Sequence, residues 1–362
     1  MGPEPRRALS EIRPYRPGKP IEEVERELGI SGAVKLASNE NPLGPSPKAL
    51  EAIRRALPNL HRYPESGAPR LTGKLAARLQ VGPEQLILGN GSDELITLAV
   101  RAFVEPGDEV IVADPTFLIY GIAARIAGAR VRVVPSRDFR YDLEGMAGAF
   151  SPRTRIVFIA NPDNPTGTFV TRAELERFLQ RCPDRVLVFL DEAYAELVDA
   201  PDYPDGLTHV GKKPVFVTRT FSKAYGLAGL RVGYGVGAPE IVAALQKVRE
   251  PFNVNSLAQA AAEAALDDAE FLERTRALLR EEKGKIQAAL KRLNLPAVPS
   301  AANFILFQAG PDAAGLMERL LRRGVIVRGM TAWGLSEHVR VTVGLPEENL
   351  RFIEALTAAL NR

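Results

Sequence analysis

The chain has 362 residues, 46% of them hydrophobic, and a formal net charge of +3, enough to bury a sizeable core and divide into two domains. Its 47 Lys and Arg are scattered against 44 Asp and Glu with no basic arm or stripe, which argues against a nucleic-acid partner. The single Cys182 excludes an intrachain disulfide, the histidines at 61, 209 and 338 are spaced too widely for a metal site, and the lack of a signal-like or membrane-length apolar segment points to a cytoplasmic protein with no membrane partner.

The first twenty residues, rich in proline and arginine, predict an extended arm. IEEVERELG predicts a short helix ended by Gly29, and VKLASNENPLGPS a strand running into a turn-rich loop. PKALEAIRRAL and PRLTGKLAARL have helical spacing. Short apolar strands follow (QLILG, DEVIVAD, ARVRVVP, TRIVFIANP, RVLVFLDEAY, PVFVTRT and LRVGYGVG), with helical stretches such as SDELITLAVRAFV and TFLIYGIAARIAG between most of them. Continuous apolar strands alternating with helices predict a mainly parallel sheet covered on both faces. After residue 250 come the helices SLAQAAAEAALDD and EFLERTRALLREEKGKIQAALKRL, then strands NFILF, GVIVRG and VRVTVG mixed with two more helices. The expected fold is α/β. It has an N-terminal arm and short helix over 1–35 packing with the small domain, and a large domain over 36–255 with a mainly parallel, seven-stranded-type sheet flanked by helices. A smaller α/β domain covers 256–362.

Parallel sheets place ligands at the carboxyl ends of their strands, and five of these ends carry distinct chemistry. NGSDE places Gly91, Ser92 and Asp93 at a helix start, either as an anion cradle of free N–H groups or as an ordinary cap. Phe117 follows a proline after a strand, where it can stack on a planar ring or pack in the core. NPDNPTG holds Asn164 in a tight loop. Asp191 ends an apolar strand, where a carboxylate can pair with a protonated ring nitrogen or cap a turn, and Tyr194 follows three residues later, free to donate to a phenolate or to pack. Lys223 follows Ser222 in TFSKAYGLAG. Desolvation or the nearby charge of Arg231 would lower its pKa and allow it to form a Schiff base with a carbonyl.

LASNENPLGPS, RYPE, GNGSDELI, NPDNPTG, DEAY, RTFSKAYGLAGLRVGY and VRVTVG together resemble the pyridoxal 5′-phosphate-dependent aminotransferases of the large α/β fold, over almost the whole chain. The likeness is greatest to those that act on L-histidinol phosphate. The resemblance implies that Lys223 holds the cofactor and moves the proton in catalysis, that Asp191 keeps the pyridine nitrogen protonated, and that Tyr194 and Asn164 bond the ring oxygen. It further implies that Phe117 stacks on the ring and that Gly91, Ser92, Asp93, Ser222 and Arg231 surround the phosphate. Tyr63 would reach the phosphate in the neighbouring subunit of a homodimer with shared sites. Arg340, Arg328, Tyr15 and Asn39 would border the substrate. The implied reaction transfers an amino group between L-histidinol phosphate and 2-oxoglutarate, giving imidazole acetol phosphate and L-glutamate, in histidine biosynthesis. An aminotransferase for aromatic or other amino acids and a phospho-amino-acid decarboxylase on the same scaffold remain open, while the presence of Lys223 argues against a cofactor-binding regulator without turnover. The segment 329–338, with Trp333, departs from the family pattern.

Overall fold

In the computed structural model, which describes residues 2–12 and 19–361, seven strands form the central sheet: β1 Leu86–Gly89, β2 Glu109–Asp114, β3 Arg130–Pro135, β4 Thr154–Ala160, β5 Leu187–Asp191, β6 Val215–Thr220 and β7 Gly233–Val236. Their spatial order is β1-β7-β6-β5-β4-β2-β3. The five strands β2 to β6 pair in parallel, and β7 is antiparallel to both β6 and β1.

The central strands read as continuous apolar runs because helices cover both faces. Phe158, Phe189 and Phe216 are register partners on β4, β5 and β6. Their rings meet at centroid distances of 4.9 and 5.5 Å, and all three are fully buried. Burying each contributes roughly 1.5–3 kcal/mol. The ladder also sets register, since a one-residue slip would turn every side chain to the opposite face. It therefore aligns Ala160, Asp191 and Thr218 at one edge of the sheet, and the segments that follow these strands gather there.

The small domain is an antiparallel sheet of β8 Phe304–Gln308, β9 Arg328–Gly329 and β10 His338–Thr342, in the order β9-β10-β8. Helices Ala269–Arg292, Ala313–Arg322 and Pro346–Leu360 share its core. GVIVRG does not form the one strand expected of it. Val325–Ile326 pairs in parallel with Val34–Lys35, and only Arg328–Gly329 joins the antiparallel sheet, so the segment changes partner at Val327. The N-terminal part also departs from a fully extended arm: Arg7–Glu11 forms a 3-10 turn against the helix Leu118–Ile126. Helix Ile21–Leu28 buries Val24 in a cluster with Ala37 and Ile326.

The packing does not change over at residue 256. Helix Ser256–Ala265 buries Ala258, Ala261, Ala262 and Ala265 in the cluster that holds Ala49, Leu71 and Leu75. In the next helix, Leu272 belongs to that same cluster, while Leu279, Ile286 and Leu290 belong to the small-domain core. We place the division between domains inside that helix. Among the described residues no helix is long and apolar enough to cross a membrane.

One glycine in the loop after β6 marks a close backbone approach. Gly226 has φ +68, and a Cβ there would lie 2.0 Å from the carbonyl oxygen of Gly44. Gly229, nearby, would meet nothing within 4 Å. Gly226→Ala is expected to lower the thermal unfolding midpoint by roughly 5 °C or more, while Gly229→Ala leaves it nearly unchanged. Differential scanning fluorimetry of both variants against the parent checks this.

Candidate active site

Five segments converge at the carboxyl edge of the sheet. The first is the loop after β6. Ser222 N–H donates to Thr220 Oγ1 at 3.1 Å, and Leu227 N–H to Phe221 O at 2.9 Å, folding the chain into a tight turn that presents Lys223. Its Nζ donates to Ser38 O at 3.4 Å, and no carboxylate among the described residues forms an ion pair with it. Burial pushes the amine down to about 8, and the positive charges of Arg340 and Arg231 add to the effect.

Asp191 ends β5 and is 6% exposed. Its Oδ2 accepts a hydrogen bond from Tyr120 at 2.7 Å, and its Oδ1 one from Ala193 N–H at 3.2 Å. It thus caps a turn and also presents a desolvated carboxylate. Burial pushes its pKa up to about 6, against the pull of the Tyr120 hydroxyl. Among the described residues no cation forms an ion pair with it, so a protonated heterocycle is the kind of group it suits.

Tyr194 is buried, edge-on to Phe304 at 5.5 Å, with Lys223 Nζ 5.7 Å from its ring centre. Its hydroxyl oxygen accepts from Asn39 Nδ2 at 2.9 Å, and no acceptor among the described residues takes the phenol's own proton. Asn164 Oδ1 accepts a short hydrogen bond from Arg340 Nη1. Arg340 also donates to Ala37 O at 3.1 Å and lies over the Phe304 ring at 5.0 Å. Arg328 is the register partner of Arg340, so the two side chains leave the same face of the small sheet.

Gly91, with φ +79, occupies the N-cap of helix Ser92–Phe103, and no side chain caps that end. The first-turn N–H groups therefore remain available to an anion. Arg231 closes the cradle, with Nη2 3.6 Å from Asp93 Oδ2 and Nη1 3.4 Å from Ser222 Oγ. Glycine is required at Gly91 by its φ of +79, and at Gly233 because a Cβ would lie 2.7 Å from the backbone nitrogen of Ser92, so both positions keep the cradle open. Phe117 is half-buried at the start of helix Leu118–Ile126, edge-on to Tyr120 at 5.6 Å, and it packs against the main core while keeping partial exposure.

Asn39, 2% exposed and at φ +56, spends its amide on Tyr194. Tyr63 is 84% exposed with its ring stacked on Phe252 at 4.8 Å. Tyr15 lies outside the described residues. Trp333 is buried, donates Nε1–H to Thr116 O at 2.9 Å, and carries Arg328 5.5 Å from its ring centre.

Sequence reasoning missed two supports of the site. Tyr120 hides inside the apolar run LIYGIA, one helical turn after Phe117. Asp163 lies in the quoted NPDNPTG loop, fully buried, and accepts from Thr116 Oγ1, Tyr141 OH and Thr166 Oγ1 at 3.1, 3.0 and 2.9 Å. It braces Asn164 on one side and the segment before Phe117 on the other. A buried acid between two prolines was the available signal. Among the described residues no His, Cys, Asp and Glu group could hold a metal.

The arrangement has counterparts among known proteins. Residues 31–356 match the family model described as aminotransferase class I and II. The chain is 49% identical to the histidinol-phosphate aminotransferase of Moorella thermoacetica, over 99% of this chain and 93% of that protein. It is 48% identical to the one of Symbiobacterium thermophilum, over 98% of each. Among solved structures, the histidinol-phosphate aminotransferase of Sinorhizobium meliloti in complex with pyridoxal-5′-phosphate superposes with a TM-score of 0.92 at 30% identity, covering 100% of this chain and 98% of that one.

The lowered pKa of Lys223 has a measurable sign. Only the neutral amine attacks an aldehyde, and its fraction rises as pH rises through about 8. Reductive methylation of Lys223 in cofactor-free protein, followed by peptide mass spectrometry, should level off above about pH 9. Lysines near the ordinary 10.4 should keep accelerating.

Proposed function

The chain belongs to the class I and II aminotransferase family, and from that premise we propose that it exchanges an amino group between L-histidinol phosphate and 2-oxoglutarate, as a step of histidine biosynthesis. The observation that carries the substrate assignment is the in-register pair Arg328 and Arg340 on one face of the small sheet, together with full-length likeness to relatives named for histidinol phosphate. A phosphate dianion offers more acceptor oxygens than a carboxylate and so rewards a second guanidinium.

The site fits pyridoxal phosphate. Gly91 and Gly233 leave the cradle open at the helix start, and among the described residues the buried Asp191 carboxylate has no cation paired with it and the Tyr194 proton has no acceptor. When bound, the cofactor supplies the aldehyde that takes up the amino group and the conjugated ring that accepts the electron pair freed at the substrate Cα. The N–H groups of Ser92 and Asp93, with Ser222 and Arg231, would hold its phosphate. Asp191 would keep its ring nitrogen protonated. Tyr194 and Asn164 would bond its ring oxygen, and Phe117 would lie against its face.

Lys223 does the proton work. Burial leaves its amine titrating near 8, close to working pH, where a group can both take and return a proton. Its Nζ removes the proton from the substrate Cα. Arg340, held by Ala37 O and Asn164 Oδ1, orients the anionic end of each substrate in turn. Arg328 adds its charge when that end is a phosphate.

The functional unit in this reading is a cytoplasmic homodimer in which Tyr63, exposed on its own subunit, reaches the neighbour's phosphate site. Mixing Tyr63→Phe with Lys223→Ala under subunit exchange should then restore part of the activity, because some sites carry neither lesion. No restoration, with exchange shown independently, would place Tyr63 outside the neighbour's site.

The substrate assignment is tested by following each half-reaction by absorbance. Arg328→Ala should weaken L-histidinol phosphate by about tenfold or more relative to 2-oxoglutarate, and Arg340→Ala should weaken both. Equal penalties in Arg328→Ala would remove it from phosphate recognition. Brisk conversion of an aromatic amino acid with none of histidinol phosphate would move the assignment to that class.

A further inference from the structure

Four buried polar groups from three parts of the chain lie in one line. Thr342, the last residue of β10, is 4% exposed. Its Oγ1 accepts from the backbone N–H of Asn39 at 2.9 Å and donates to Asn39 Oδ1 at 3.1 Å. Asn39 Nδ2 then donates to Tyr194 OH at 2.9 Å. Asn303 Nδ2 donates to Asn39 O at 3.0 Å, which fixes the backbone of a non-glycine residue held at φ +56.

The direction of each bond follows from the one before it. A hydroxyl has one proton and an amide nitrogen only donates. Thr342 Oγ1 accepts a backbone N–H, and among the described residues Asn39 Oδ1 is the acceptor for its proton; the opposite amide orientation would leave that buried proton without one. That fixes which end of the amide faces Thr342, so the NH₂ end faces Tyr194. The phenol oxygen then accepts and must donate its own proton elsewhere.

We propose that Thr342 is a positioning residue for the cofactor: acting through the Asn39 amide, it compels Tyr194 to donate its proton to the cofactor's ring oxygen. The proposal rests on the pyridoxal phosphate reading above. With no hydroxyl at residue 342, the amide is free to turn over and offer Oδ1 to Tyr194. The phenol proton is then drawn back into the chain. The line also joins the two domains, since Thr342 belongs to the small sheet and Tyr194 to the edge of the large one, so the seating of one domain sets the polarity of a group on the other.

The test is a spectrophotometric pH titration of the holoenzyme's cofactor absorbance. A proton donated by Tyr194 stabilises negative charge on the ring oxygen, favours the deprotonated chromophore and holds the midpoint down. Thr342→Val keeps the shape and removes the hydroxyl, and should raise the midpoint by roughly half to one pH unit. Thr342→Ser keeps the hydroxyl and should titrate like the parent. The charged groups around Tyr194, namely Lys223, Arg340, Asp191 and Asp163, are the same in all three proteins. A parent-like midpoint in Thr342→Val overturns the proposal. So does an equal shift in Thr342→Ser, which would mark a packing effect. A parent protein with no pH-dependent cofactor absorbance would overturn the cofactor reading itself, and the proposal with it.

Discussion

A buried carboxylate and a half-buried amine, at the ends of neighbouring parallel strands and not paired with each other, are the constraint around which the rest of the molecule is arranged. Among the described residues the hydrogen bonds to Asp191 come from a hydroxyl and an amide, and the Lys223 amine donates to a carbonyl. Neither arrangement favours the charged form on its own. One ligand that brought a protonated ring nitrogen to the carboxylate and an aldehyde carbon to the amine would satisfy both.

Such a site needs a stiff floor. Beneath it the ring ladder of Phe158, Phe189 and Phe216 fixes the relative height of three strand ends. Next to Asp191, and on the opposite face of the chain, Glu192 is fully buried and takes two hydrogen bonds from Arg219 at 2.9 and 2.7 Å and one from Gly206 N–H at 2.8 Å. This ties the end of β5 to the end of β6, which carries Lys223 three residues later. Asp163 does the same for the Asn164 loop and the segment before Phe117. The small domain then delivers its arginines across a seam already fastened by Arg340 to Asn164, Trp333 to Thr116, and Thr342 to Asn39.

Much of this was legible in the sequence because the core strands are short, apolar and end abruptly in chemistry. RVLVFLDEAY and PVFVTRTFSK announce both the sheet and the residues at its edge. What stayed hidden depended on crossings between distant segments. The role of Tyr120 follows from where a helix after β2 lands relative to the end of β5, and LIYGIA reads as plain core. The bond from the Asn39 amide to Tyr194, between residues 155 apart, gave no sign in the sequence. Thr342 carries no local signal at all. The split of GVIVRG was invisible because its two halves have the same β-forming composition and differ only in partner, and the alanine-rich helix Ser256–Ala265 gave no sign of the domain whose core it joins.

The most direct test of the buried-charge account is the affinity of cofactor-free protein for pyridoxal phosphate at pH 7.5, with and without the Asp191 charge. Asp191→Asn keeps size and shape, and circular dichroism would show that the fold is kept. If the carboxylate is there to hold a protonated ring nitrogen, its loss removes a charge-assisted hydrogen bond and weakens binding by about ten- to a hundredfold. Equal affinity in the two proteins would contradict the account.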